Sequence, residues 1–65
     1  MIIRTWHARD KRNITLTQLS ELTGIGKSTL NNIENGRTSP TLDQLERIAK
    51  ALNVKISELY DSKYK

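Results

Sequence analysis

Apolar residues recur along this chain at spacings of three and four, and glycine or proline interrupts them in only two places. That spacing marks helices with one buried face rather than alternating half-buried strands. Leu42, Leu45, Ile48, Ala49 and Leu52 keep the period best. They predict a helix capped by Ser39 or Thr41, with Asp43 and Glu46 favouring its positive N-terminal end and Asn53 closing it. Leu16, Leu19 and Leu22 predict a second helix from Thr15 to Thr23. Gln18, three residues after Thr15, completes a capping-box pattern, and Gly24 can take the positive φ that ends a helix. Leu30 and Ile33 predict a third over about Lys27 to Asn35, stopped at Asn35-Gly36. A first helix is expected from about Ile2 to Arg12, on a weaker face of Ile2, Thr5 and Ala8 or Arg9 with Trp6 beside it. A short fifth is expected from Ile56 to Tyr60, adding Ile56 and Leu59, before a polar tail from Asp61. The expected fold is all-α and five-helical, one domain over residues 1–65 with its core at about 2–60.

The segment from Leu16 to Gly36 is the informative one. Two short helices are joined there by Gly24-Ile25-Gly26. A turn this short sets two helices at a steep angle. Ser20 is small where the helices would cross closely, and Ile25, Leu30 and Ile33 hold the pair on the core. This is the logic of a helix-turn-helix, whose second helix offers its N-terminal residues to base edges in the major groove.

A longer pattern surrounds that segment. It runs Thr15-Leu16-Thr17-Gln18-Leu19-Ser20-Glu21-Leu22-Thr23-Gly24-Ile25, Ser28-Thr29-Leu30, Ile33-Glu34-Asn35-Gly36-Arg37 and Ser39-Pro40-Thr41-Leu42. Leu45, Ile48-Ala49-Lys50-Ala51-Leu52-Asn53-Val54 and Glu58-Leu59 complete it. Over nearly its whole length the chain resembles the phage-repressor/Cro-type (XRE-type) helix-turn-helix family. The resemblance implies a compact five-helix domain that binds operator DNA as a two-fold dimer. It departs from the family at Leu16, where a phosphate-contacting Gln is common, at Gly26, where Ser or Thr often caps the recognition helix, and at Thr5 and Ala8, where apolar residues are usual. Trp6 at the core edge is expected to compensate by folding over the first helix.

The resemblance also implies roles for single residues. Lys27, Ser28, Asn31 and Asn32 would face the major groove. Lys27 could donate to guanine O6 and N7, and Asn32 could pair with adenine N6 and N7. Thr15, Gly26, Thr29, Asn35, Arg37 and Thr38 would hold phosphates, Thr15 at a helix N-terminus whose amides favour anions. Such contacts set register rather than sequence preference. Arg9 and Glu34 would form an ion pair joining the first helix to the third. Asn53, Val54, Lys55 and Ile56 would make the dimer contact.

Composition narrows the alternatives. Eleven Lys/Arg against seven Asp/Glu give a net charge of +4, which suits nucleic acid. With no cysteine and one histidine, His7, neither a thiolate nor a multi-His metal site is expected, and no cofactor is called for. No apolar run approaches the ~20 residues of a membrane span. Gly24-Ile25-Gly26-Lys27-Ser28 looks like the end of a P-loop, but Glu21 stands where the motif needs its first glycine. Asn13-Ile14-Thr15 is a formal glycosylation sequon without a secretory signal. A chain this short leaves no room for an enzymatic pocket, so an enzyme is not expected.

The expectation is therefore a cytoplasmic transcriptional regulator that binds a specific duplex DNA operator as a homodimer. The rival from another class is a protein-interaction module, such as an antitoxin, with a protein partner on the first helix around Trp6. A non-specific DNA binder fits less well, because the basic residues are scattered rather than clustered.

Overall fold

In the computed structural model, which describes residues 2–64, the chain runs β1 (Ile2–Ile3), α1 (Thr5–Lys11), α2 (Leu16–Thr23), α3 (Lys27–Glu34) and α4 (Leu42–Leu52). A single 3-10 turn, Ile56–Glu58, and β2 (Tyr60–Asp61) follow. The fold is mostly helical, with four α-helices rather than five and a two-stranded antiparallel ribbon. Ile2 pairs with Asp61 and Ile3 with Tyr60. The first helix is thus shorter than expected, because Ile2 and Ile3 are extended. The fifth helix is reduced to one turn, because the backbone of Tyr60 enters the ribbon. Asp61, expected as the first residue of a polar tail, lies opposite Ile2.

Helices α2 and α4 begin with the same five-residue pattern, Thr-Leu-x-Gln-Leu, and the same local structure. The Thr15 hydroxyl accepts from the Gln18 amide at 3.1 Å while Gln18 Oε1 accepts from the Thr15 amide at 2.9 Å. Thr41 and Gln44 repeat both bonds at 3.0 Å. Each box satisfies two backbone donors that a helix start otherwise leaves to solvent. Thr15→Ala and Thr41→Ala are each expected to cost about 1 kcal/mol. Urea denaturation checks this; a Thr41→Ala protein as stable as the wild type would show that the cap does not form in solution. Asn53 ends α4 in the left-handed region (φ 55°), and its amide donates to the carbonyls of Ala49 and Lys50.

The core lies between α2, α3 and α4 and is closed by the C-terminal segment. Leu19, Ile25, Leu30, Leu45, Ile48, Ala49, Leu52 and Leu59 form one buried cluster. Two leucines expected inside are not there: Leu22 is 61 % exposed and Leu42 76 %. In α2 the inward direction passes through Leu19 and Thr23, four apart, which turns Leu22 outward. Leu42 sits in the first turn of α4, beyond the reach of the core. No helix among the described residues is long and apolar enough to cross a membrane.

Thr5 is almost completely buried, and its hydroxyl has no hydrogen-bond partner among the described residues. A buried unsatisfied hydroxyl costs about 1–3 kcal/mol. Thr5→Val keeps the shape and removes the polar atom, so it is expected to raise stability by about 1 kcal/mol. A lower melting temperature for Thr5→Val would show that the hydroxyl is hydrogen-bonded in solution. Trp6, expected to fold over α1, is half exposed and meets His7 edge-on, with ring centroids 5.0 Å apart.

Candidate nucleic-acid interface

The turn between α2 and α3 is built by short-range hydrogen bonds. Gly24 takes φ 74° as the left-handed cap of α2, and its amide donates to Ser20 O at 2.9 Å. The Thr23 hydroxyl donates to Leu19 O at 2.8 Å and accepts from the Ile25 amide at 3.2 Å. The Ser20 hydroxyl donates to Ile25 O at 2.7 Å. Ile25 itself is buried in the core. These bonds hold both ends of Ile25 and close α2, so α3 leaves α2 in one direction. In the sequence Ser20 stands out by its size alone. Its bond to Ile25, and the part played by Thr23, are the hydroxyl-to-backbone chemistry usual for Ser and Thr near turns.

Leu30 and Ile33 point α3 into the protein, so its opposite side faces out. Lys27, Ser28 and Asn31 are exposed on that side and Asn32 is half-buried. The four residues expected at base edges therefore share one outward stretch of helix. Gly26 has no side chain to cap α3, and no such bond replaces one. The first-turn amides of Lys27, Ser28 and Thr29 stay open, next to an exposed Lys27 ammonium and with no acidic residue in the turn. An uncapped helix start of this kind favours an anion.

Thr15 is also exposed. Its capping box uses the amides of Thr15 and Gln18, which leaves those of Leu16 and Thr17 to solvent. Leu16 is half-buried against the core. Asn35, Arg37 and Thr38 are exposed just past α3. The loop they belong to is anchored on Asn32 O, which accepts from the Arg37 amide at 2.9 Å and the Thr38 amide at 3.4 Å. Gly36 turns the chain there with φ 74°.

Glu34 is the one acid of α3, and Arg9 grips it from α1. Arg9 Nε donates to Glu34 Oε2 at 2.8 Å and Nη2 to Oε1 at 3.1 Å. Nη1 donates to Ile14 O at 3.0 Å, which brings in the α1–α2 loop. Only 16 % of the Arg9 side chain and 7 % of the Glu34 side chain remain exposed. The hydrogen bond to Glu34 and its charge raise the Arg9 pKa further, against the opposing effect of burial, so the guanidinium stays charged. The outward face of α3 accordingly shows no unpaired carboxylate.

The segment 53–56, expected at the dimer contact, is partly exposed. Val54 and Ile56 are half-buried against the protein's own core, while Asn53 and Lys55 are exposed. The Asn53 carbonyl also accepts from Arg12 Nη2 at 3.3 Å, an additional tie between α4 and the end of α1.

A family model described as Helix-turn-helix matches residues 7–59. The chain is 43 % identical over 49 residues to the HTH-type transcriptional regulator SutR of Escherichia coli K12, covering 75 % of this chain and 28 % of that protein. It is 35 % identical over 57 residues to the HTH-type transcriptional regulator SinR of Bacillus subtilis, covering 86 % and 51 %. It is 37 % identical over 51 residues to the immunity repressor protein of Bacillus phage phi105, covering 78 % and 35 %. The chain thus spans about half of SinR and about a quarter of SutR. The solved N-terminal DNA binding domain of SinR superposes with a TM-score of 0.81 at 29 % identity, over 94 % of this chain and 90 % of that one.

Proposed function

The chain belongs to the phage-repressor-type (XRE) helix-turn-helix family, and from that premise we propose that it is a DNA-binding transcriptional regulator reading a duplex operator with α3. The observation that supports this reading best is the surface of α3. Its outward side holds Lys27, Ser28, Asn31 and Asn32, its N-terminal amides are uncapped, and its only acid is neutralised by Arg9. Lys27 offers donors to guanine, and Asn32 offers a carboxamide able to pair with adenine. Thr15, Gly26, Thr29, Asn35, Arg37 and Thr38 set the helix in register by meeting phosphates on either side. Two copies act together, because one short helix reads too few base pairs for an operator. They meet through the Asn53–Ile56 segment, with two-fold symmetry matching a palindrome. Its place of work is the cytoplasm, where the DNA is.

Selection of binding sites from random duplex DNA at about 0.15 M salt, where phosphate attraction alone is weak, tests this. The expected result is a palindrome with half-sites about one helical turn apart. No enrichment, with binding that vanishes as salt rises, would contradict it. The helix-turn-helix would then serve a protein complex, with the half-exposed Trp6 on α1 as the contact to examine.

A further inference from the structure

Asn31 differs from the other polar residues of α3 in how its side chain is held. Asn35 is tied to it twice: the Asn35 amide donates to Asn31 O at 3.0 Å, and Asn35 Nδ2 donates to Asn31 Oδ1 at 3.4 Å. A carboxamide has one accepting end and one donating end. With one lone pair of Oδ1 engaged by Asn35, the end of Asn31 wholly free for an outside partner is Nδ2, a donor of two hydrogens. Lys27 stands four residues earlier and so on the same edge of the helix. It is exposed, and its ammonium can only donate. This edge of α3 therefore offers mainly donors, since one lone pair of the Asn31 oxygen is already taken. Asn32 lies on the other edge, and among the described residues no side-chain hydrogen bond engages either end of its carboxamide.

In the major groove guanine shows two acceptors, N7 and O6. Adenine shows an acceptor beside a donor, cytosine a donor, and thymine one acceptor beside a methyl group. An edge dominated by donors is best answered by guanine, the one base with two acceptors in the major groove. We propose that the Lys27–Asn31 edge selects a guanine in each half-site, and that Asn35 is the positioning residue that decides which end of the Asn31 amide meets it. The proposal rests on the base-reading account above and adds to it the identity of a base and the part of a residue outside the groove.

The test uses the full chain and the site it selects from random duplex DNA. Replacing the selected guanine by 7-deazaguanine removes the N7 acceptor and keeps the base pair. This should weaken wild-type binding about tenfold, the scale of one base contact, and weaken Asn31→Ala clearly less. Selection with Asn35→Ala should broaden that one column to admit adenine, because the freed carboxamide can turn over, with the other columns unchanged. Asn31→Asp replaces the donor by an acceptor and should move the column to cytosine. An unchanged column with Asn35→Ala would overturn the proposal. So would a selected site without an Asn31-dependent guanine, or 7-deazaguanine weakening both proteins alike. A wild-type selection that yields no site at all would overturn base reading itself, and this proposal with it.

Discussion

Glu34→Ala is expected to lower the folding stability by about 3 kcal/mol, because it leaves Arg9 charged and mostly buried without its partner. A domain of this size is worth only about 3–10 kcal/mol in total, so the loss is a large part of the whole. Arg9→Ala should cost a similar amount for the mirrored reason, with a carboxylate stranded instead of a guanidinium. It also breaks the bond to Ile14 O and with it the tie to the α1–α2 loop. Removing both residues leaves no buried charge, so the double variant should lose much less than the sum. Urea denaturation of the four proteins measures the coupling directly, and strictly additive losses would contradict the pairing. The two single variants should then separate on DNA. Arg9→Ala exposes an unpaired Glu34 carboxylate at the end of α3, beside the proposed phosphate contacts, and should bind worse than its stability alone explains. Glu34→Ala removes the negative charge and should not.

The second large effect is expected at the other end of the chain. Leu59 is completely buried, between the 3-10 turn and β2, and its carbonyl accepts from the Arg4 amide at 2.7 Å. Truncation to alanine leaves a cavity bounded by helices that cannot all close on it, and such changes cost about 2–5 kcal/mol. Leu59→Ala should therefore lose most of its helical circular-dichroism signal near 37 °C. A Leu59→Ala protein that melts within a few degrees of the wild type would mean that the C-terminal segment is not part of the cooperative core. The same segment carries β2, so the ribbon with Ile2–Ile3 should fail together with it.

What could be read in the sequence follows from how local each signal is. Helices α2 and α4 announce themselves, because Thr15 with Gln18 and Thr41 with Gln44 are caps made within four residues of each other. The turn at Gly24 is equally local, since its φ 74° suits the one residue type without a Cβ. The ribbon could not be read. Two residues are too few to show alternation, and Ile2–Ile3 is extended only because Tyr60–Asp61, at the far end of the chain, supplies its hydrogen bonds. The same pairing shortened the last helix, since a five-residue segment has little helical preference to set against it. Leu22 and Leu42 misled for a geometric reason: their spacing is helical, but the burial direction is set by which turn meets a neighbour.

The candidate site divides in the same way. The outward face of α3 follows from Leu30 and Ile33 by helical geometry, so Lys27, Ser28, Asn31 and Asn32 could be placed together from spacing. The ties that steady them are contacts the chain makes only when folded. These are Ser20 to Ile25, Arg9 to Ile14 and Asn35 to Asn31, the first and last within a few residues yet dependent on side-chain direction.

The central claim is that α3 distinguishes bases rather than merely adhering to phosphate. The most direct measurement is the ratio of dissociation constants for the selected duplex and a scrambled one of equal length, at one salt concentration, for the wild type and Asn32→Ala. Base reading predicts a wild-type ratio of about 1,000 or more. It predicts that Asn32→Ala lowers this ratio by about tenfold through weaker binding to the selected site alone. A wild-type ratio near one, or an Asn32→Ala protein that weakens on both duplexes equally, would contradict it.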